Sequence, residues 1–172
     1  MSVVNRSSSS PVQKHNTVPD SVSLPCFCCG ICCVRFQVRL SLAEAQSIAD
    51  ELGITRGEFI SKYADPRWPG TDSFLLRQDD GACVFLAPET GSKQRHCRIH
   101  SFRSLACRDW TPSLYRRECQ EGLARYWGLA VSPRGKLRGP GGKIRSWQQF
   151  LKALETDDMM NTPAKNCRKT VN

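Results

Sequence analysis

The sequence predicts an α+β fold: a small, cysteine-rich metal-binding domain in which several helices pack around short antiparallel strands. Three observations lead there. The run Pro25-Cys-Phe-Cys-Cys-Gly-Ile-Cys-Cys places five thiols within the eight residues 26–33. Two Ser/Thr-x-x-Glu boxes, Ser41 with Glu44 and Thr55 with Glu58, mark helix starts. Asp79-Asp80-Gly81 separates two apolar runs in the way a hairpin turn does.

Cys26, Cys29 and Cys32 recur at every third residue, a spacing at which a tight turn aims successive sulfurs at one metal or cluster, and Cys33 follows directly. Gly30 permits the positive φ that such a turn often needs. The Cys-x2-Cys-x2-Cys rhythm holds three corners of ferredoxin-type iron–sulfur clusters, and Cys-x2-Cys is half of many tetrahedral zinc sites. Spacing admits both. A disulfide knot is the competing reading, but ten cysteines in 172 residues fall below the density of a short secreted scaffold. Adjacent cysteines also pair only in strained geometry. Residues 1–23 carry neither an apolar core nor a small-residue cleavage site, so no signal peptide is expected and the thiols are assigned to a reducing cytoplasm.

No apolar run approaches the roughly 20 residues that span a bilayer, so no membrane partner is expected. The net charge of +9 is uneven: residues 1–90 carry 8 basic and 10 acidic side chains, residues 91–172 carry 17 and 6. Thiolates in two four-cysteine zinc sites would lower +9 to about +5. The other reading of the basic half is a nucleic-acid or acidic-protein surface. No nucleic-acid module is recognisable, so nucleic acid stays a secondary partner reading.

In chain order, residues 1–23 read as a disordered leader, 24–128 as the cysteine-cluster domain, 129–156 as a basic Gly/Pro loop with a C-terminal helix, and 157–172 as a disordered tail. Phe36, Val38 and Leu40 alternate with Arg35, Gln37 and Arg39, which predicts a half-buried strand. A helix then runs from Leu42 to Leu52 with Gly53 as its C-cap. Phe59, Ile60 and Tyr63 supply the apolar side of a second helix that stops before Asp65-Pro66. Residues 73–78 and 83–86 form the hairpin around Asp79-Asp80-Gly81, with Cys83 opening the returning strand. A short helix or turn covers 102–110. The next helix is expected from Ser113 to Trp127, with Tyr115, Cys119, Leu123 and Tyr126 on one face, so that Cys119 points inward as a ligand or as a small buried hydrophobe. Seven glycines and prolines from Gly128 to Gly142 predict an irregular segment. Ile144, Trp147, Phe150, Leu151 and Leu154 mark a last amphipathic helix, ending near Glu155, that packs on the domain or on an unknown protein partner.

With these residues laid out, residues 26–110 resemble the CxxCxxCC, YkgJ-like cysteine-cluster family of zinc- or iron-chelating domains. Cys26, Cys29, Cys32 and Cys33 match its opening motif, and Leu42–Leu52 its following helix. Gly81-Ala82-Cys83-Val84-Phe85-Leu86, Cys97-Arg98-Ile99 and Arg103-Ser104-Leu105-Ala106-Cys107-Arg108 match its later elements. Four departures stand out: an additional Cys28, His100 where Tyr is usual, Ser104 where Pro is usual, and Thr111 inserted before Pro112. Cys97 and His100 together could bite a metal through thiolate and imidazole.

The resemblance and the inward face of the expected helix together nominate Cys26, Cys29, Cys32, Cys33, Cys83, Cys97, Cys107 and Cys119 as metal ligands for zinc or iron, an iron–sulfur cluster included. Cys167, in the tail, is left out. The eight would fill two four-thiolate sites, or one cluster and one other site, in a structural, chelating or electron-transfer role. No phosphate loop follows a strand and no Ser-His-Asp grouping appears, so no catalytic residue is nominated and a non-enzymatic module is favoured. The resemblance also implies an alternative, because a similar cysteine domain occurs in flagellin lysine methylases.

Overall fold

The two capping boxes form as the sequence predicts, and they position the first half of the chain. Ser41 Oγ accepts from the Glu44 N–H at 3.2 Å while the Glu44 carboxylate accepts from the Ser41 N–H at 2.9 Å. This starts the helix Leu42–Leu52 (α2), which Gly53 closes at φ 68. Thr55 and Glu58 repeat the exchange ahead of Arg56–Tyr63 (α3), so both boxes satisfy N–H groups a helix start leaves without partners. The coordinates are a computed structural model that describes residues 24–160 except 69, 71, 89, 90 and 92, with side chains described to residue 154. The expected leader and residues 161–172 of the expected tail, including Cys167, lie outside the described residues.

Among the described residues, six helices accompany three antiparallel two-stranded ladders, an α+β arrangement. The stretch expected as one strand divides. Gly30 at φ 75 turns the chain straight into Ile31–Arg35 (α1), and only Arg39–Ser41 (β1) is extended. Phe36, expected inward, is 44% exposed and packs on Trp110 with ring centroids 5.2 Å apart. Ser73–Leu75 (β2) pairs with β1, Leu40 facing Phe74, rather than with the run after the turn. The hairpin at Asp80-Gly81 is correspondingly short: Gln78–Asp79 (β3) against Ala82–Cys83 (β4), with φ 50 at Asp80 and φ 74 at Gly81, the paired positive angles of a type I′ turn.

Further on, His100–Phe102 forms a single 3-10 turn and Leu105–Arg108 a short helix (α4). The helix expected from Ser113 begins only at Arg117 (α5, Arg117–Gly122), because Ser113–Arg116 makes a tight turn closed by the Arg116 N–H on the Ser113 carbonyl. Tyr115 is therefore off the helix and 47% exposed, and Trp127 takes the buried place. The helix widens into a π turn over Leu123–Trp127. The segment expected to be irregular contains a hairpin, Ala130–Val131 (β5) with Leu137–Arg138 (β6). The final helix (α6) spans Gly141–Met160, past the end expected at Glu155.

Two apolar cores result. Leu40, Ile48, Ala49, Phe59, Phe74 and Phe85 build one around α2, α3 and the strands. Phe27, Ile31, Leu123, Trp127, Leu129 and Trp147 build the other around α5 and α6. Phe27, inside the cysteine run, meets Trp147 edge-on at 5.0 Å, and Trp147 meets Trp127 at 5.0 Å. Each such pair adds about 1 kcal/mol beyond the area it buries. Residue 27 thereby anchors the thiol loop to a helix more than a hundred residues later in the chain.

Candidate metal centre

Phe27, Cys29 and Ile31 of the cysteine run belong to the second core. The backbone of the run is held from outside: the Arg95 N–H donates to the Cys28 carbonyl at 2.7 Å. A Cβ on Gly30 would stand 3.1 Å from the Arg95 side chain, so the loop and the 95–97 segment approach closely at a glycine. Gly30 then launches α1, which carries Cys32 and Cys33 with their sulfurs 4.0 Å apart. Cys29 is buried against α5, where a Cβ on Gly122 would come 2.6 Å from its Sγ.

The remaining thiols arrive from separate segments. Cys83 ends β4 opposite Gln78. Cys97 forms an antiparallel bridge with Leu86, and its carbonyl accepts from the His100 N–H at 3.1 Å. Cys107 sits on α4, whose N-cap Ser104 is buried and accepts the Cys107 N–H through its hydroxyl. Ser104 holds φ −56, close to the value proline would fix, and adds a cap that proline lacks. The Leu105 N–H of the same helix donates to Glu44 Oε1 at 2.9 Å, so the capping box of α2 also seats the Cys107 helix. Cys119 is buried on α5.

Electrostatic neighbours sort the eight free thiols into two sets. Cys29 feels Cys32, Cys26 and Cys119, while Cys26 and Cys119 each feel Cys32. Cys33 feels Cys97 and Cys83, and Cys83 and Cys97 both feel Cys107. The adjacent pair Cys32 and Cys33 joins the sets, and Cys32 also acts on Cys107.

Burial pushes most of these thiols up: Cys29 to about 12 and Cys97 and Cys119 to about 11, desolvation being the largest cause in each. Cys26, Cys83 and Cys107 rise for the same first reason. Part of Cys26 faces solvent, yet protein atoms crowd it enough for desolvation to dominate. Cys32 is the exception, lowered to about 7 chiefly by a hydrogen bond from the Cys33 thiol, whose own deprotonation that same bond opposes. Arg103 acts in the lowering direction on Cys26, Cys32, Cys97 and Cys107, against the burial that raises three of them, and so touches thiols of both sets.

Six of the eight thiols line a cavity of about 60 Å³, together with His100, Arg103, Glu118 and Trp110; Cys83 and Cys107 stand outside that lining. His100 Nε2 lies 3.1 Å from Arg103 Nη1, so its ring meets the arginine at the cavity wall. Cys28 also lines the cavity but is not one of the eight free thiols. Among the described residues, no three His, Cys, Asp or Glu side chains are arranged to hold a metal ion directly. The donor chemistry nevertheless fits zinc or iron, since a thiol-rich, carboxylate-poor set suits these metals and not magnesium or calcium.

Sequence reasoning missed Arg103, Gly122 and Glu44 as parts of this site. Arg103 lies in the Arg-Ser-Leu-Ala-Cys-Arg element, whose spacing marks the cysteine and not the arginine. Gly122 had a signal, a glycine within a helical pattern, which often marks a close approach. Glu44 gave none, because its bond to Leu105 joins residues 61 apart.

A family profile described as a candidate zinc- or iron-chelating domain, CxxCxxCC, matches residues 25–124. No curated protein and no solved structure matches the chain.

Proposed function

This chain belongs to the CxxCxxCC family, and from that premise we propose that it binds zinc or iron through eight thiolates in two sets, Cys26, Cys29, Cys32 and Cys119 in one and Cys33, Cys83, Cys97 and Cys107 in the other. The observation that carries this reading is that six of the eight free cysteines, drawn from the 26–33 run and from residues 97 and 119, line one small cavity, while Cys83 and Cys107 act electrostatically on Cys97. Four thiolates complete a tetrahedral zinc site, and three thiols at Cys-x2-Cys-x2-Cys spacing with a fourth complete an iron–sulfur ligand set.

Each residue has a part in that reading. Phe27 and Gly30 hold the loop that carries Cys26, Cys29 and Cys32. Glu44 and Ser104 seat Cys107. Arg103 offsets negative charge that accumulates as the thiols lose protons. Bound zinc would supply cross-links between remote segments, and a bound iron–sulfur cluster would add one-electron transfer. The role is structural, chelating or electron-carrying. The methylase alternative has no support at this cavity, because about 60 Å³ is far below the roughly 300–1,000 Å³ of an organic-cofactor pocket.

Elemental analysis with an absorption spectrum of anaerobically purified protein tests the reading. About two zinc per chain in a colourless solution, or iron with sulfide and visible absorption, supports it. Protein that is folded and holds neither metal refutes it.

A further inference from the structure

A second site lies away from the thiols, where α5 ends and α6 begins. An open groove of about 640 Å³ is lined by Lys93, Arg125, Trp127 and Lys143 and by Pro140, Gly142 and Ser146 at the start of α6. Among the described residues no acidic one lines it. Lys93 Nζ stands 4.0 Å from the centre of the Trp127 ring. Lys143 folds back so that its Nζ occupies the space a Cβ on Gly128 would take. Two ammonium groups are therefore gathered over consecutive residues, and neither makes an ion pair among the described residues.

The start of α6 adds to this positive field. The helix has 20 residues, and its first turn contains no acid. Ile144 makes the first intrahelical bond, to the Pro140 carbonyl, which leaves the preceding N–H groups without helical partners. Cations at a helix N-terminus oppose the macrodipole, so Lys143 and Arg145 occupy positions that the bare helix disfavours. An anion in the groove reverses the sign of that interaction. Trp127 supplies a separate indication: it is 7% exposed, it lines the groove, and its indole Nε1 is buried with no hydrogen-bond partner.

We propose that this groove binds phosphate, held by Lys93, Lys143 and the N–H groups of the first turn of α6. The phosphate is either a small phosphate compound or a phosphodiester of a nucleic-acid strand, and the basic residues Arg134, Lys136 and Arg138 follow Gly128 closely in the chain.

The test uses the metal-loaded full chain, a labelled single-stranded RNA of about a dozen nucleotides, a length within known strand-binding footprints, and inorganic pyrophosphate. Lys93→Gln/Lys143→Gln is compared with Arg56→Gln/Lys62→Gln, which removes equal charge from α3. The expected result is that the groove variant weakens binding at least tenfold and reduces the salt slope by about 1.4 for the strand, about 0.7 per lost phosphate contact. The α3 variant retains most of the affinity. Pyrophosphate that binds and displaces RNA identifies the small-compound source, and RNA binding insensitive to pyrophosphate identifies the strand. No binding of either probe, or equal losses in the two variants, overturns the proposal. Metal content measured on the same samples stays at the wild-type value, which separates this outcome from any failure of the thiol reading.

Discussion

Gly122 and Cys29 are in such close approach that a single methyl group would collide with the sulfur: a Cβ at 122 would stand 2.6 Å from Cys29 Sγ and 2.9 Å from its Cβ. The helix carrying Cys119 can meet the thiol loop only because residue 122 has no side chain. Gly122→Ala should destabilise the protein by about 1–3 kcal/mol, the cost of overpacking a filled core, and lower bound metal. Gly57→Ala, on an exposed helix turn with nothing nearer than 4.0 Å, should be neutral or stabilising. Denaturant midpoints with metal analysis distinguish the two.

Serine substitutions should separate the thiol sets. Cys29→Ser or Cys119→Ser should reduce about two metal equivalents to about one, and Cys83→Ser or Cys107→Ser should remove the other equivalent. A double variant with one change in each set should retain almost none. Cys167→Ser should leave metal content and solubility unchanged. Equal metal content in all these proteins would refute the assignment.

Glu44 should matter for the site as well as for its own helix. Its pKa is lowered, because the Ser41 and Leu105 hydrogen bonds outweigh the desolvation that acts first and in the opposite direction. Glu44→Ala removes both the capping box and the seat of α4, and should cost about 1–2 kcal/mol. Glu58→Ala at the other box removes a cap alone. Metal release to a competing chelator should quicken in the Glu44 variant and not in the Glu58 variant.

Metal removal and pH act through the same thiols. The pKa of Cys29 is raised from 9.0 to about 12 and those of Cys97 and Cys119 to about 11, so the metal-free fold holds more protons than the unfolded chain in that range. Its stability is complete below about pH 9 and falls as pH rises towards 11–12. Metal loading runs the other way, because each bound thiolate releases a proton, and apparent affinity should rise with pH. Urea midpoints of chelator-stripped protein at pH 8 and pH 10 should fall, while loaded protein should change little. A midpoint of stripped protein that rises between these values would contradict the burial of Cys29.

Local signals carried much of the fold. Ser41/Glu44, Thr55/Glu58, Gly53 and Asp80-Gly81 act within a few residues, and each forms as the sequence predicts. The failures are cases where a distant partner decides. Phe36 alternates like a strand residue but turns to Trp110. Ser73–Leu75 has an apolar run after the nearby turn available, yet pairs with β1. Tyr115 has helical spacing but lies in a turn before α5. The cysteine run was conspicuous, whereas which distant thiols Cys32 and Cys33 approach is decided by the tertiary fold, and no spacing rule contains that.

X-ray absorption at the edge of the bound metal tests the central claim most directly, because it counts ligand atoms without reference to any variant. The account predicts a first shell of about four sulfur atoms, near 2.3 Å for zinc, with no nitrogen or oxygen. A shell in which nitrogen or oxygen fills two or more positions would contradict it, and would move the metal from the eight thiols to other side chains.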